Sequence, residues 1–243
     1  MKALILAGGK GKRLGSDITH IPKVMRKANG TPLLGYVLKY TDSIPDEDKV
    51  ILVGYEKQVV MDAFPSFAYA VQEEQKGTGH AVMCAADHFK GYKGDILVIN
   101  GDMPLLRRES VSALQKHHVQ SGNACTILTF VAKGDIPPFG HIVRDSDGKV
   151  TAIIEHKDAS DEQKRIPELN GGIYMFDSEK LFDTLSKITP SPVTGEYYLT
   201  DVPKFLISAG HKVDAFILPD ETELAGVNTE EDLKEVERIL GAR

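Results

Sequence analysis

Apolar runs of strand length alternate along the chain with stretches whose apolar side chains recur at helical spacing, and Gly, Asp or Pro marks most of the changes. The runs Ala3–Ala7, Val50–Val53, Ala68–Val71, Asp95–Ile99, Ala124–Val131, Gly172–Phe176 and Val213–Leu218 predict strands. Helices are predicted around Leu33–Thr41, Gln58–Phe64, Thr78–His88, Glu109–Ser121, Ser178–Ser186, Tyr197–Ala209 and Glu230–Leu240. Such a βαβ alternation implies an α/β fold, with a mostly parallel, twisted sheet covered by helices on both faces. The unbroken run DILVI at 95–99 suits a strand buried on both sides.

One stretch breaks the alternation. From Phe139 to Lys157, FGHIVRDSDGKVTAIIEHK reads strand, turn, strand, with Asp147-Gly148 as the turn of a β-hairpin. An antiparallel excursion from a parallel sheet makes a lid or half-pocket for a substrate. Asp158–Glu168, just after it, is the longest polar connection, and no repeat, low-complexity tract or linker interrupts the chain.

A length of 243 residues with 42% hydrophobic positions fits one compact domain carrying this excursion. No run approaches the ~20 apolar residues that span a bilayer. The start, MKALILAGGKGKR, is too short in its apolar part for a signal peptide, so a cytoplasmic protein without membrane contact is expected. A net charge of −6 argues against a nucleic-acid partner, which needs a basic face, but leaves room for a small anion held by local positive charge. Cys84 and Cys125 lack metal spacing and read as buried thiols. His80, His88, His117, His118, His141 and His156 show no converging ligand pattern and receive no catalytic role.

Chemistry concentrates beyond the carboxyl ends of the strands, where open parallel sheets bind ligands. The first strand runs into AGGKGKRLGS at 7–16, in which Gly8, Gly9 and Gly11 let backbone N–H groups approach an anion and Lys10, Lys12 and Arg13 supply charge. Leu14 rules out GxGxxG, and Arg13 after Gly11-Lys12 rules out the Walker motif, so a dehydrogenase or P-loop enzyme is disfavoured. The same segment would also serve as a glycine turn with solvated lysines. Pro22 holds the backbone extended before Lys23 and so can aim that side chain at the loop. INGDMPLL at 99–106 leaves Asp102 just past a buried strand, as a hard oxygen ligand for Mg²⁺ shared with phosphates or as a turn former after Gly101. Asp46-Glu47-Asp48 and Asp145-Ser146-Asp147 read as solvated turns.

Seven segments in order, LILAGGKGKRLGSDITHIPKVM, QEEQKGTGHAV, INGDMPLL, FGHIVRDSDGKVTAIIEHKDASDEQ, ELNGGIYMFD, GEYYLTDV and GVNTEEDL, resemble the sugar-phosphate nucleotidylyltransferases. Within them the likeness is strongest to the uridylyltransferase domain of the bifunctional enzyme that makes UDP-N-acetylglucosamine, and it runs from Leu4 to about Leu233. The resemblance implies a Rossmann-like nucleotide-diphospho-sugar transferase fold. It also implies a Mg²⁺-dependent reaction in which a sugar 1-phosphate oxygen attacks the α-phosphorus of a nucleoside triphosphate and pyrophosphate leaves. Transfer from UTP to N-acetylglucosamine 1-phosphate is the expected pair. The alternatives are glucose 1-phosphate or another hexose 1-phosphate with UTP or dTTP, and a non-catalytic regulator that binds nucleotide sugars.

Residue by residue, the resemblance gives Leu6, Ala7, Gly8, Gly9 and Gly11 to the nucleotide, Arg13 to the departing pyrophosphate and Lys23 to the α-phosphate. Gln72, Gly77, Thr78 and Gly101 complete the nucleotide site, with Gln72 able to donate and accept at a uracil edge, and Asp102 with Asn228 would hold the Mg²⁺. Gly140, Glu155 and Asn170 meet the acetamido sugar; Tyr197, Tyr198 and Thr200 wall its pocket or, for the two aromatics, pack against a helix start; and Lys157 reaches a phosphate or pairs with a neighbouring acid. Nucleotide binding falls at about 1–110, sugar binding at about 111–228 and a last helix at 229–241, all within one domain.

Some positions depart from the closest pattern. The SDITHIP stretch between Arg13 and Lys23 is longer and resembles that of the hexose 1-phosphate thymidylyl- and uridylyltransferases; Gly9, Lys12 and Asn170-Gly171-Gly172 also differ. Asn100-Gly101-Asp102 at the strand end, in place of DxD, favours making a nucleotide sugar over spending one. No hexapeptide repeats precede Arg243, so acetyl transfer is not expected of this polypeptide, and a monomer or weak homodimer is.

Overall fold

The computed structural model describes residues 1–243 except for the side chains of Lys12 and Asp17, so the reading of Lys12 as a loop charge lies outside the described residues. In chain order the strands are β1 (Lys2–Ala7), β2 (Lys27–Ala28), β3 (Thr31–Pro32), β4 (Lys49–Val53), β5 (Ala68–Val71), β6 (Asp95–Asn100), β7 (Cys125–Val131), β8 (His141–Arg144), β9 (Val150–Ile154), β10 (Glu168–Asp177) and β11 (Val213–Ile217). The helices are α1 (Ser16–Thr19), α2 (Leu33–Tyr40), α3 (Lys57–Ala63), α4 (Thr78–Cys84), α5 (Arg108–Ser121), α6 (Ser178–Leu185), α7 (Val202–Ser208) and α8 (Glu230–Gly241). The central sheet has the order β11-β7-β10-β6-β1-β4-β5, with β8 and β9 attached beside β10.

Ala3, Leu4 and Ile5 of β1 and Ile96–Ile99 of β6 are wholly buried, as their unbroken apolar runs require. Alternate residues feed opposite layers. Ala3, Ile5, Leu97 and Ile99 pack with Leu34 and Val37 of α2 and Leu114 of α5. Leu4, Ile96 and Val98 pack with Val82 of α4, Leu181 of α6 and Leu206 of α7. Each fully buried Leu, Ile or Val side chain is worth roughly 1.5–3 kcal/mol relative to exposure. A third cluster docks Leu233 and Val236 of α8 on Leu14, Leu33 and Leu105, which ties the last helix to the segment after the glycine loop. No helix among the described residues is long and apolar enough to cross a membrane.

Strand β10 differs from the parallel expectation. It is ten residues long and runs antiparallel to both β6 and β7, whereas β1 pairs parallel with β4 and β6. The cause is the hairpin: β8 and β9 stand where a crossover helix would have returned the chain to the opposite edge, so β10 re-enters from the edge at which β7 ended. The β8–β9 turn is closed by Asp145, whose Oδ1 accepts from the N–H groups of Asp147 and Lys149, with Gly148 at φ 79°.

Two helices are shorter than their apolar periodicity suggests. The Thr78–His88 stretch divides into α4 and a 3₁₀ turn at Ala86–Phe89. The Tyr197–Ala209 stretch becomes helical only from Leu199, because Pro203 belongs in a helix's first turn and the preceding backbone is spent on contacts with another loop.

Candidate active site

At the carboxyl ends of β1 and β6 the chain makes two close approaches, the first of which only glycine permits. Gly11 has φ 64°, and a Cβ there would stand 2.7 Å from the Lys23 Cβ and 2.9 Å from Ser16 Oγ. Gly101 donates to the Leu6 carbonyl at 2.9 Å, and its own Cβ would come within 3.2 Å of that oxygen and of Val24 Cγ1. The glycine loop therefore lies directly on Lys23. Pro22, at φ −55° and ψ 144°, is extended as expected and delivers Lys23 to the first position of a 3₁₀ turn. The long SDITHIP segment is absorbed on the outside, where Tyr55 donates to the Ser16 carbonyl at 2.9 Å and His20 meets Glu56 at 2.9 Å.

Lys23 Nζ donates to Asn228 Oδ1 at 2.7 Å and is ion-paired with Asp102, while Arg13 Nη2 donates to the same Asn228 oxygen at 3.2 Å. Four polar side chains, 215 positions apart at the extremes, thus meet at one point. Two backbone features hold Asn228 there. Its N–H donates to Asp232 Oδ2 at 2.8 Å within the capping box that starts α8, and the neighbouring Val227 N–H donates to the Asp102 carbonyl at 3.1 Å. Lys23 and Asp102 are only 15% and 19% exposed, so their charges act with little screening.

A divalent cation fits this donor set. The Asp102 carboxylate and the Asn228 carbonyl already face one positive nitrogen, and both are hard oxygen donors of the kind Mg²⁺ takes. No group of three or more His, Cys, Asp or Glu suited to a metal occurs among the described residues, so water and phosphate oxygens would complete the sphere.

Two adjoining cavities of about 270 Å³ each share Leu6, Thr78, Asn100 and Asp102. The first is walled by Gly8, Gly9, Gln72, Gln75 and Gly77. Gln72, 5% exposed, donates from Nε2 to the Gly77 carbonyl at 3.0 Å and to His80 Nδ1 at 3.0 Å. Gln75 Nε2 donates to the Gly8 carbonyl at 2.6 Å and holds the glycine loop from below. The second is walled by Gly140, Glu155, Asn170, Tyr174 and Thr200. Asn170 donates from Nδ2 to the Tyr174 hydroxyl at 2.7 Å and accepts the Gly172 N–H at 3.0 Å, across a bulge that interrupts the β10–β7 register between Asn170 and Ile173. Burial pushes the Tyr174 phenol far above its usual range, with the Glu155 charge adding to it.

Glu155 Oε1 accepts from Thr200 Oγ1 at 2.8 Å, and burial pushes the Glu155 carboxyl up against the lowering effect of that bond. An acid whose pKa rises on folding loses its proton later in the folded chain than in the unfolded one. Stability therefore falls as pH climbs from the ordinary glutamate range to the raised value, and the penalty stays constant above it. Glu155→Gln should accordingly melt higher than the unaltered chain at pH 7, with the difference vanishing in acid. Thermal unfolding across pH checks this, and an unchanged or lower melting point at pH 7 would refute it.

Several expected residues lie elsewhere. Tyr197 does not wall the second cavity: its N–H donates to the Lys76 carbonyl and its carbonyl accepts from Gly79, both at 2.8 Å, while its side chain lines a separate concavity with Lys76 and His80. Backbone pairing has drawn it to the α4 side. Tyr198 is buried with its hydroxyl 2.6 Å from Thr194 Oγ1 and lines neither cavity. Ala7 is buried behind the loop, and Lys10 and Lys157 are exposed; none of the three lines either cavity. Asn100, Gln75, Tyr174 and Gly226 also line the cavities, although the sequence assigns none of them a binding role. A polar Asn ending the apolar run of β6 was a signal for the first, and the spacing of Tyr174 from Asn170 on the same face of β10 for the third.

A family model described as nucleotidyl transferase matches residues 2–222. The bifunctional protein GlmU of Streptococcus suis is 42% identical over 243 residues, covering 99% of this chain and 52% of GlmU. GlmU of Corynebacterium aurimucosum is 38% identical over 249 residues, covering 99% and 50%. The chain spans about half the length of these curated relatives. Among solved structures, a glucose-1-phosphate thymidylyltransferase from Bacillus anthracis superposes with a TM-score of 0.77 at 22% identity, over 98% of this chain and 94% of that one. A UDP-glucose pyrophosphorylase complexed with UDP-glucose gives 0.74 at 19%, over 99% and 98%. These two likenesses establish the nucleotide-sugar transferase fold.

Proposed function

The chain belongs to the nucleotidyl transferase family, and from that premise we propose that it transfers a uridylyl group from UTP to N-acetylglucosamine 1-phosphate, giving UDP-N-acetylglucosamine and pyrophosphate. The observation that carries this reading is the meeting of Arg13, Lys23, Asp102 and Asn228 at the seam between the two cavities. A triphosphate in the first cavity and a sugar phosphate in the second would bring the attacking oxygen and the α-phosphorus together there. Apart from Glu196, every residue of the first cavity lies within 1–110, in keeping with a nucleotide half and a sugar half of one domain.

The phosphate oxygen of the sugar forms the new bond to the α-phosphorus as the bond to the β-phosphate oxygen breaks, and pyrophosphate carries the electron pair away. A phosphate monoester anion is already a competent nucleophile, so positioning and charge neutralisation dominate over proton transfer. The loop at Gly8–Gly11 gives the triphosphate close backbone contact. Lys23 leaves Asp102 for the α-phosphate, and Arg13 faces the pyrophosphate side. A Mg²⁺ held by Asp102 and Asn228 would supply Lewis-acid neutralisation of the phosphates when bound. Asn170 and Glu155 meet the acetamido sugar.

The wider gap between Arg13 and Lys23 favours a second reading, a hexose 1-phosphate with UTP or dTTP. Pyrophosphate release with Mg²⁺, measured for UTP, dTTP, CTP, GTP and ATP against N-acetylglucosamine 1-phosphate and glucose 1-phosphate, decides between them. Dominant turnover of UTP with the acetamido sugar is expected. Dominant glucose 1-phosphate would select the second reading, and UTP binding without pyrophosphate release in the presence of any sugar phosphate would make the chain a regulator.

A further inference from the structure

Both hydrogens of the Gln72 amide are committed inside the protein. A carbonyl oxygen only accepts, so the atom 3.0 Å from the Gly77 carbonyl is the NH₂ nitrogen; its second hydrogen points to His80 Nδ1, also at 3.0 Å. The His80 ring nitrogen at that contact is therefore the bare one. What remains for the first cavity is Gln72 Oε1, on the side of Gly8, whose added Cβ would stand 3.4 Å from it. Turning the amide over would set its oxygen against the Gly77 carbonyl and force His80 into the tautomer protonated at Nδ1, with loss of a hydrogen bond worth roughly 0.5–1.5 kcal/mol.

We infer that His80 is a specificity-determining positioning residue, which holds Gln72 with only an acceptor facing the nucleobase and so selects pyrimidines with a ring N–H at the recognised edge. Uracil and thymine carry that N–H at N3. Cytosine has a bare nitrogen there and would meet oxygen with a lone pair. His80 does not line the first cavity; it faces it only through Gln72, and its other side opens on the concavity shared with Lys76 and Tyr197. Cys84, one helical turn on, lies 3.8 Å from Nε2, and the Tyr197 ring is tilted across it at 6.4 Å. The inference deepens the proposed function, since it rests on the first cavity holding the nucleotide.

Two substitutions separate the acceptor from the ring. His80→Phe keeps an aromatic ring and removes the acceptor; His80→Asn removes the ring and offers an oxygen where Nδ1 lies. Equilibrium binding of UTP and CTP, which needs no turnover, is measured for each by calorimetry, together with kcat and KM for pyrophosphate release. His80→Phe should narrow the preference for UTP over CTP by about tenfold through Kd and KM, with kcat at saturating UTP nearly unchanged. His80→Asn should retain most of the preference. Equal relaxation in both variants, no change in His80→Phe, or equal binding of UTP and CTP by the unaltered chain would each overturn the inference. If His80→Phe fails to fold, His80→Ala takes its place with the same expectations. Absence of pyrophosphate release from UTP with every sugar phosphate, with the UTP preference and its loss in His80→Phe intact, would instead overturn uridylyl transfer and leave the role of His80 standing.

Discussion

Asp102→Ala is expected to lower pyrophosphate release by about 10³-fold, the scale on which a preorganised charge at the reacting centre contributes. The substitution removes one of the two oxygen acceptors facing Lys23 Nζ and the only negative one of that pair. Lys23 would then rest on Asn228 alone, and a divalent cation would lose its charged ligand. Folding should survive, because the Asp102 contribution to the scaffold is its carbonyl, which accepts from Val227 N–H at 3.1 Å, and alanine retains it. Turnover and thermal unfolding measured on one preparation check both halves. Asp102→Asn, which keeps an oxygen without the charge, should fall between; near-full activity in Asp102→Ala would remove this residue from the reaction.

Gly11→Ala should cost turnover about 10²-fold, the penalty of misplacing a reacting group by about 1 Å. Two effects add. An alanine at φ 64° is strained, by roughly 1–2 kcal/mol, and its Cβ would sit 2.7 Å from the Lys23 Cβ, an atom fixed by the backbone that cannot swing aside. Gly15 provides the control. It has nearly the same conformation, φ 63°, but nothing stands within 4 Å of an added Cβ, so Gly15→Ala carries the strain without the collision. Gly15→Ala should lose the stability that strain alone costs and Gly11→Ala more in chemical denaturation, and only Gly11→Ala should lose most of its kcat. Equal kcat losses would mean that backbone strain, and not the displacement of Lys23, explains the effect.

The strands were legible because burial on two faces demands uninterrupted apolar residues, and β6 carries Ile96–Ile99 without a break. The hairpin was legible from Asp147-Gly148, since the turn needs a positive φ and Gly148 has one. The direction of β10 was not, as the same residues would bury as well pointing either way. Among site residues, the glycine loop, Lys23 and Asp102 carried signals of their own. Asn228 reads as a plain polar residue before an N-cap and stood out only through the family resemblance. Tyr197 reads two ways in the sequence, as a pocket wall or as packing at a helix start, and the pairing of its backbone with Lys76 and Gly79 decides against the pocket. His80 has no ligand spacing in the sequence, and its contact is with an amide on the far side of the Gly77 turn.

Local free energies were thus written in the chain itself: which segments bury, where glycine is obligatory, which loop can face an anion and which carboxylate ends a buried strand. Tertiary structure decided the rest. It set the direction of β10, the meeting of Arg13 and Asn228 across 215 positions, and the side of the Gln72 amide that faces the cavity. The first two depend on contacts between segments that exert no force on one another until the core has closed, and the third on the turn at Gly77 that brings His80 back to Gln72, so hydrophobic periodicity along the chain carries none of them.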